Sequence, residues 1–361
     1  MLTAVVSILI FALLVSVHEF GHFITAKLSG MYVEEFSIGM GPLLVSKRIG
    51  ETRYTLRALP LGGYVRVLGE DIAEEERSGI EPVHVPEERR YQNRPVWQRM
   101  IFAGAGSVMN MVTAVLIFSI LFMAMGVAVP IENPDTTISA LVENGPADNA
   151  GVEPGDKFVA IDGQSIETWN EMNAIIMDAS TEDTLTVTVE RENQQFDVQM
   201  KPVMSEDGSR VLLGIYGQTA ERQAVGPIRA IGLGASATWD TTVMMVDVLK
   251  DLFTGQINIM DEEEGLTGPV GIVQIIDQSA KAGWVYVFNL AALLSINLGV
   301  INLLPIPALD GCKLLFLLYE AVRGKPVAPE KEGMLNMIGF MLLMGLILVV
   351  TYKDIMRLLM P

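Results

Sequence analysis

Residues 13–28 read LLVSVHEFGHFITAKL, and the fold turns on how that stretch is read. An apolar run from Leu2 leads into it, so His18, Glu19 and His22 sit near the end of a segment long enough to cross a bilayer. Two imidazoles and a carboxylate are costly in hydrocarbon and are kept there for a purpose. On a helix, residues 18 and 22 lie one turn apart on one face, so both rings can reach a single ion. Glu19 stands beside them, placed to work on water at that ion rather than to hold it. This is the H-E-x-x-H pattern of zinc peptidases.

The rest of the composition fits a chain that is part membrane and part soluble. Of 361 residues, 50% are hydrophobic, and the mean hydropathy is positive. A formal charge of −18 argues against nucleic acid as a partner, because phosphate contacts need a concentrated basic surface. Cys312 is the single cysteine, which excludes an intramolecular disulfide and a cysteine-rich metal cluster. Of the three histidines, only His84 lies outside the motif, in a polar loop.

Four stretches are apolar enough to span: Leu2–Ile24, Ile101–Val129, Trp284–Leu304 and Met334–Thr351. The first lacks a basic start and a small-residue cleavage site before HEFGH, so it reads as a retained span and not a signal peptide. Ten Lys and Arg fall between Ser29 and Met100 and four between Gly311 and Gly333, against eight over the much longer Pro130–Gly283. Basic loops stay cytoplasmic. The expectation is therefore both termini and Pro130–Gly283 outside, with the other two loops inside.

Between the spans, Tyr32–Asp71 alternates Val, Ile, Tyr and Thr between glycine breaks and reads as several short strands. Ile72–Gln98 is charged and proline-rich and reads as a solvated, mobile connector. Thr137–Pro202 predicts a turn, a short helix, a strand after PGD, a DG hairpin, an amphipathic helix and two alternating strands. Its GPADNAGVEPGD running into IDG resembles the circularly permuted PDZ domains of bacteria, a class that binds extended peptides at a sheet edge. A single copy is present. GPIRAIGLGASATWDTTVMMVDVLKDLFTG, further on, has the period of an amphipathic helix.

A catalytic zinc site needs a third protein ligand, and the histidines are nearly exhausted. At 1.5 Å per residue from Leu2, His18 lies ~24 Å into a ~30 Å core, near its cytoplasmic end. The third span runs in the same direction and ends at NLLPIPALDG, which brings Asp310 to the same depth. Pro305 and Pro307 break the helix there and free backbone to approach a site. Cys312 is a candidate soft ligand that reads better as a packing residue.

HEFGH at 18–22, PLGGYV at 60–65, RPVWQRM at 94–100, GSVMN at 106–110, the PDZ stretch, GPVGI at 268–272 and NLLPIPALDG at 302–311 together resemble the site-2 protease family of intramembrane zinc metalloproteases. The likeness is to the bacterial RseP/RasP-like branch with a single PDZ domain. It implies one Zn2+ held by His18, His22 and Asp310, with Glu19 as the base. It also implies that Asn110, Asn302, Gly62 and Gly63 lie beside the ligands or against the substrate, the last two in a strand-rich element that dips toward the site. Ser107, where proline is usual, and Cys312, where a second glycine is usual, depart from the family's pattern.

The expected architecture is a polytopic α-helical membrane protein with four transmembrane helices, a membrane-associated β-rich element and one extracytoplasmic PDZ (α/β) domain. Its divisions are 1–28, 29–100, 101–129, 130–205 for the PDZ domain, 206–283, 284–311, 312–333 and 334–361. The expected activity is cleavage of transmembrane segments of single-span proteins in a bacterial inner membrane, with membrane lipid around the spans. Substrates of the anti-sigma factor or remnant signal peptide class would be admitted past the PDZ domain. Two rivals are an inactive PDZ scaffold, which would have no use for Glu19, and a metal transporter. Transport calls for a chain of polar residues across the membrane, and the outer halves of spans one and three nearly lack polar residues.

Overall fold

The computed structural model describes residues 2–70, 85–205, 208–256 and 267–359, so His84 and the first half of the expected connector lie outside the described residues. The chain divides into two compact units, Met1–Ala124 with Gly226–Pro361, and Met125–Val225.

The first unit opens with helix α1 (Leu2–Leu28), then strands β1 (Val33–Ile49) and β2 (Thr52–Val67), two 3-10 turns (Glu87–Arg89, Tyr91–Asn93) and helix α2 (Val96–Met125). Among the described residues, four helices are long and apolar enough to cross a membrane: Val5–Leu28, Val96–Met125, Trp284–Asn302 and Pro329–Arg357. The second ends earlier than its hydropathy suggests, because Gly126, at φ +70°, turns the chain into a strand.

β1 and β2 replace the several short strands expected from the sequence. Residues 33–38 pair with 63–67 on one side and with 53–56 on the other, while 43–49 returns along 52–57. The curl needs left-handed backbone at Gly39, Gly41 and Gly62. Leu43, Leu44, Val45 and Leu59 are exposed around its far end. The described end of the expected connector exposes half of its residues, yet two of its side chains anchor it to the fold. Tyr91 is buried with Phe102 and Val67, and Arg89 grips Glu51 through two nitrogens at 2.8 Å. Charge and proline content made this segment look loose, but its aromatic and arginine side chains find partners only in the fold.

The second unit runs β3 (Val127–Pro130), β4 (Ile138–Leu141), α3 (Pro146–Asn149), β5 (Lys157–Ile161), β6 (Gln164–Ser165), α4 (Trp169–Asp178), β7 (Leu185–Arg191), β8 (Gln194–Met200), β9 (Val203–Met204), β10 (Val211–Leu212), β11 (Ile215–Gly217) and β12 (Ala220–Gln223). Its main sheet has the order β6-β5-β7-β8, while β11 pairs with β4 and β12 with β3. Asp162 and Gly163, both at positive φ, make the tight turn between β5 and β6. Thr168 and Glu171 cap α4 reciprocally. Phe158, Met172, Val187 and Val189 fill the core, and Leu213, beyond residue 205, belongs to it as well.

The first unit resumes with α5 (Pro227–Thr254), α6 (Pro269–Ala282), α7 (Trp284–Asn302), α8 (Asp310–Arg323) and α9 (Pro329–Leu359). Its core joins α1, α2, α6 and α7 through Leu14, Ala114, Phe118, Ile276, Ala292 and Ile296. Backbones come close where side chains are small. A Cβ on Gly234 of α5 would meet Ser119 Oγ of α2 at 2.5 Å. The Asp354 carboxylate of α9 accepts from the amides of Gly268 and Gly271, 3.3 and 2.8 Å away, and so caps α6.

Candidate metal centre

Three elements far apart in sequence meet at one point. His18 and His22 project from one face of α1, and Asp310 opens α8. Their ligand atoms form a near-equilateral triangle: His18 Nε2 to Asp310 Oδ2 is 3.1 Å, His22 Nε2 to Asp310 Oδ2 is 3.3 Å, and the two Nε2 atoms are 3.2 Å apart. Zinc bonds to nitrogen and oxygen of ~2.0–2.2 Å at tetrahedral angles place neighbouring ligands about 3.4 Å apart. The donors therefore fit one face of a tetrahedral ion. The histidines are 6% and 7% exposed, while the Asp310 side chain keeps 25% of its surface open.

Space for the triangle comes from a glycine. A Cβ on Gly106 of α2 would lie 2.5 Å from His18 Nε2 and equally close to His22 Nε2. On α1, Gly21 faces Ala105 and Met109 of α2, where a Cβ would come within 3.0 Å of Met109 Cβ. The two helices touch because each offers a glycine.

The outer nitrogens of both rings also face α2. His22 Nδ1 donates to the Phe102 carbonyl at 2.8 Å, which leaves Nε2 with its lone pair toward the triangle. His18 Nδ1 lies 3.1 Å from Asn110 Nδ2, and Asn302 Nδ2 stands 3.5 Å from His18 Nε2. The first two sequence candidates beyond the ligands, Asn110 and Asn302, thus both border His18.

Asp310 is delivered by a folded-back loop. Ala308 takes φ +75°, and its amide donates to Asn336 of α9 at 3.1 Å. Gly311 packs its α-carbon against the carbonyls of Leu303 and Leu304, where no side chain fits. Two charged contacts then hold α8. Arg99 of α2 grips Glu320 with bonds of 2.9 and 2.6 Å, and Lys313 pairs with Glu70, in the turn that follows β2, while lying over the Tyr91 ring at 4.9 Å. Burial pushes the Tyr91 hydroxyl up to about 12. Cys312 is buried and is not among the grouped ligand atoms.

Glu19 is half-buried, and its Cγ lies against β2, where a Cβ on Gly63 would approach it to 3.2 Å. Gly62 beside it, at φ +96°, lies against the Met40 side chain. Lys313, Glu320 and the Phe102 carbonyl carried no signal of their own in the sequence, and Gly106 entered only as the first residue of the GSVMN motif. A carbonyl is common to every residue, and the two ion pairs span more than two hundred residues.

The model of peptidase family M50 matches residues 6–346. The regulator of sigma-W protease RasP of Bacillus subtilis is 34% identical over 99% of this chain and 99% of its own. The zinc metalloprotease RasP of Oceanobacillus iheyensis is 35% identical over 99% of this chain and 100% of its own. Among solved structures, the PDZ domain of an SdrC-like protein from Listeria monocytogenes covers 25% of this chain and 93% of its own at 18% identity, with a TM-score of 0.22.

Proposed function

The chain belongs to peptidase family M50, a zinc metalloprotease of the site-2 type, and from that premise we propose that it cuts single-span membrane proteins within their transmembrane segments. The observation that carries this is the meeting of His18, His22 and Asp310 beside Glu19 at the end of a membrane-length helix. These three side chains would hold one zinc ion. Bound there, zinc supplies a Lewis acid that polarises a carbonyl and lowers the pKa of water to about 7.

Glu19 takes the proton of the attacking water and returns it to the leaving amine. The half-buried position of Glu19 keeps bulk water from competing for it. Among the described residues, 63–67 pair along one edge with 33–38, and the other edge can bond an unwound substrate main chain. Unwinding is required because a helical peptide bond is shielded by its own hydrogen bonds. Gly62 and Gly63 let that main chain approach, and Asn302 stands close enough to contact it. The Lys and Arg distribution supports a metal site near the cytoplasmic face and the 125–225 unit outside, in a bacterial inner membrane.

The 125–225 unit, read as a PDZ domain, keeps intact substrates with bulky outer domains from the site and admits trimmed ones of the anti-sigma factor or remnant signal peptide class. Pro130 pairs directly with Ala220, so a tight turn joining them removes 131–219 and leaves a closed hairpin. That deletion is expected to abolish the preference for trimmed over full-length substrate, and an unchanged preference would overturn the gating role.

The activity itself is tested with a tagged, trimmed single-span substrate, purified wild type and Glu19→Gln. Cleavage by wild type and a drop of at least ~10³-fold in the variant at equal zinc is the expected result. Equal cleavage by both would remove Glu19 from the chemistry.

A further inference from the structure

Three positions on one face of α2 address the two histidine rings in turn. Phe102, Gly106 and Asn110 are spaced four residues apart: the first offers its carbonyl to His22 Nδ1, the second makes room at both Nε2 atoms, and the third faces His18 Nδ1. Asn110 is fully buried, and its Oδ1 has no hydrogen-bond partner among the described residues. A buried amide oxygen left without a donor is costly, which makes this half of the side chain a group still awaiting a partner.

The chemistry of the ring says what that partner is. A neutral imidazole carries one N–H and one lone pair. When His18 Nε2 gives its lone pair to a metal, the proton sits on Nδ1, and Nδ1–H needs an acceptor. The amide nitrogen now 3.1 Å away is a donor, whereas the unpartnered Oδ1 on the same carbon is an acceptor. A half-turn of the amide about its last bond exchanges them. With Nδ2 toward the ring, as found here, His18 Nε2 carries the proton and faces Asp310 Oδ2 at 3.1 Å.

Resting on the metalloprotease reading, we infer that Asn110 is a positioning residue whose amide turns on metal loading, so that Oδ1 accepts from His18 Nδ1–H and aims Nε2 at the ion. His22 needs no such device, because a backbone carbonyl cannot turn. The turn of α2 that carries Asn110 is itself pinned. Ser295 Oγ of α7 donates to the Asn110 carbonyl at 2.8 Å, and a Cβ on Gly299 would lie 3.5 Å from Asn110 Cβ.

The test is zinc affinity of the full-length protein in detergent, read by competition with a chromogenic chelator and so independent of cleavage. Asn110→Leu keeps the volume but offers no acceptor, and is expected to weaken zinc binding about 10- to 100-fold. Asn110→Asp offers only acceptors and is expected to restore binding to within a few-fold of wild type. A residue that merely fills space would give the reverse order, since a buried carboxylate is a worse filler than leucine. Ser295→Ala removes only the hydroxyl on the Asn110 carbonyl, and several-fold weaker zinc binding is expected; it decides the matter if the carboxylate variant does not fold. Zinc binding within threefold of wild type in Asn110→Leu, or in both Asn110→Leu and Ser295→Ala when the aspartate variant is lost, would overturn the inference. That failure differs from failure of the metalloprotease reading, in which wild type itself binds no zinc and cuts nothing.

Discussion

Both units of this protein bury apolar side chains, but they differ in the polar groups they keep inside and in the apolar surface they leave outside. In Met125–Val225 the interior is chiefly apolar, with Phe158, Met172, Val187 and Val189 fully buried, and Thr136 and Asp156 are buried polar residues beside them. In the helical unit, Ser107, Asn110 and Ser295 are fully buried and His18 and His22 nearly so, while Leu9, Leu116, Phe340 and Leu342 face outward. Lipid does not push apolar side chains together, so what gathers these helices is small-residue contact and polar bonding. The lesson is that a unit with an apolar exterior can hold a polar site in its interior beside an apolar core.

The severest way to break the comparison is to add one methyl group inside the helical unit. Gly106→Ala puts a Cβ 2.5 Å from ring atoms of both histidines, and α2 cannot withdraw without losing the Phe102 contact. Zinc is expected to be lost, with cleavage down at least ~100-fold, a 1 Å displacement being enough for that. Zinc content by mass spectrometry checks it; a fully loaded variant would mean that the helices slide.

Next in size is a charge on the outward face. Leu342→Arg, at a 70% exposed position near the middle of α9, is expected to raise the insertion cost by ~3 kcal/mol, measurable with a glycosylation-tagged insertion assay. Phe196→Arg, outward on β8, should leave the other unit's folding nearly unchanged. Equal outcomes would erase the contrast between lipid-facing and water-facing surfaces.

The soluble-type unit has its own polar anchor. Asp156 is buried and accepts two bonds from Arg191, at 2.7 and 2.8 Å, and one from the Glu153 amide at 2.8 Å. The Arg191 guanidinium holds its carboxyl below the usual range. Because the folded pKa is depressed, this stabilisation is complete above the ordinary carboxylate pKa and fades as pH falls through the folded value. Asp156→Ala is expected to cost on the order of 2 kcal/mol, read as faster hydrogen exchange across β5 and β7, with zinc content unmoved. A change in zinc instead would show that the two units are not independent in stability.

Glu51 gives the smallest effect. Arg89, then Lys27, hold its pKa at about 2 from the ordinary 4.5. Its contribution is therefore complete at neutral pH and is lost between those two values as pH falls. The pair is partly exposed, so Glu51→Gln should lower stability at pH 7 by less than ~1 kcal/mol, with the difference from wild type vanishing in acid. A larger loss would mean that the 85–93 segment anchors β1 and β2 more than its exposure indicates.

The sequence by itself determined the periodic and additive features. H-E-x-x-H puts two rings on one helical face whatever surrounds them, and hydropathy summed along the chain yields four membrane-length helices. Parity of direction predicts that the end of the third span, with Asp310, reaches the depth of the first, and in the fold Asp310 meets the two histidines. The tight turn at Asp162 and Gly163 was readable for the same reason, since it is decided within a few residues. Tertiary structure alone decided that the Phe102 carbonyl meets His22, that Gly106 faces both rings, that β1 and β2 curl into a doubled register, and that Arg99 and Lys313 fasten the helix bearing Asp310. Those contacts depend on how closely distant backbones approach, and closeness is a property of packed surfaces that no local pattern records.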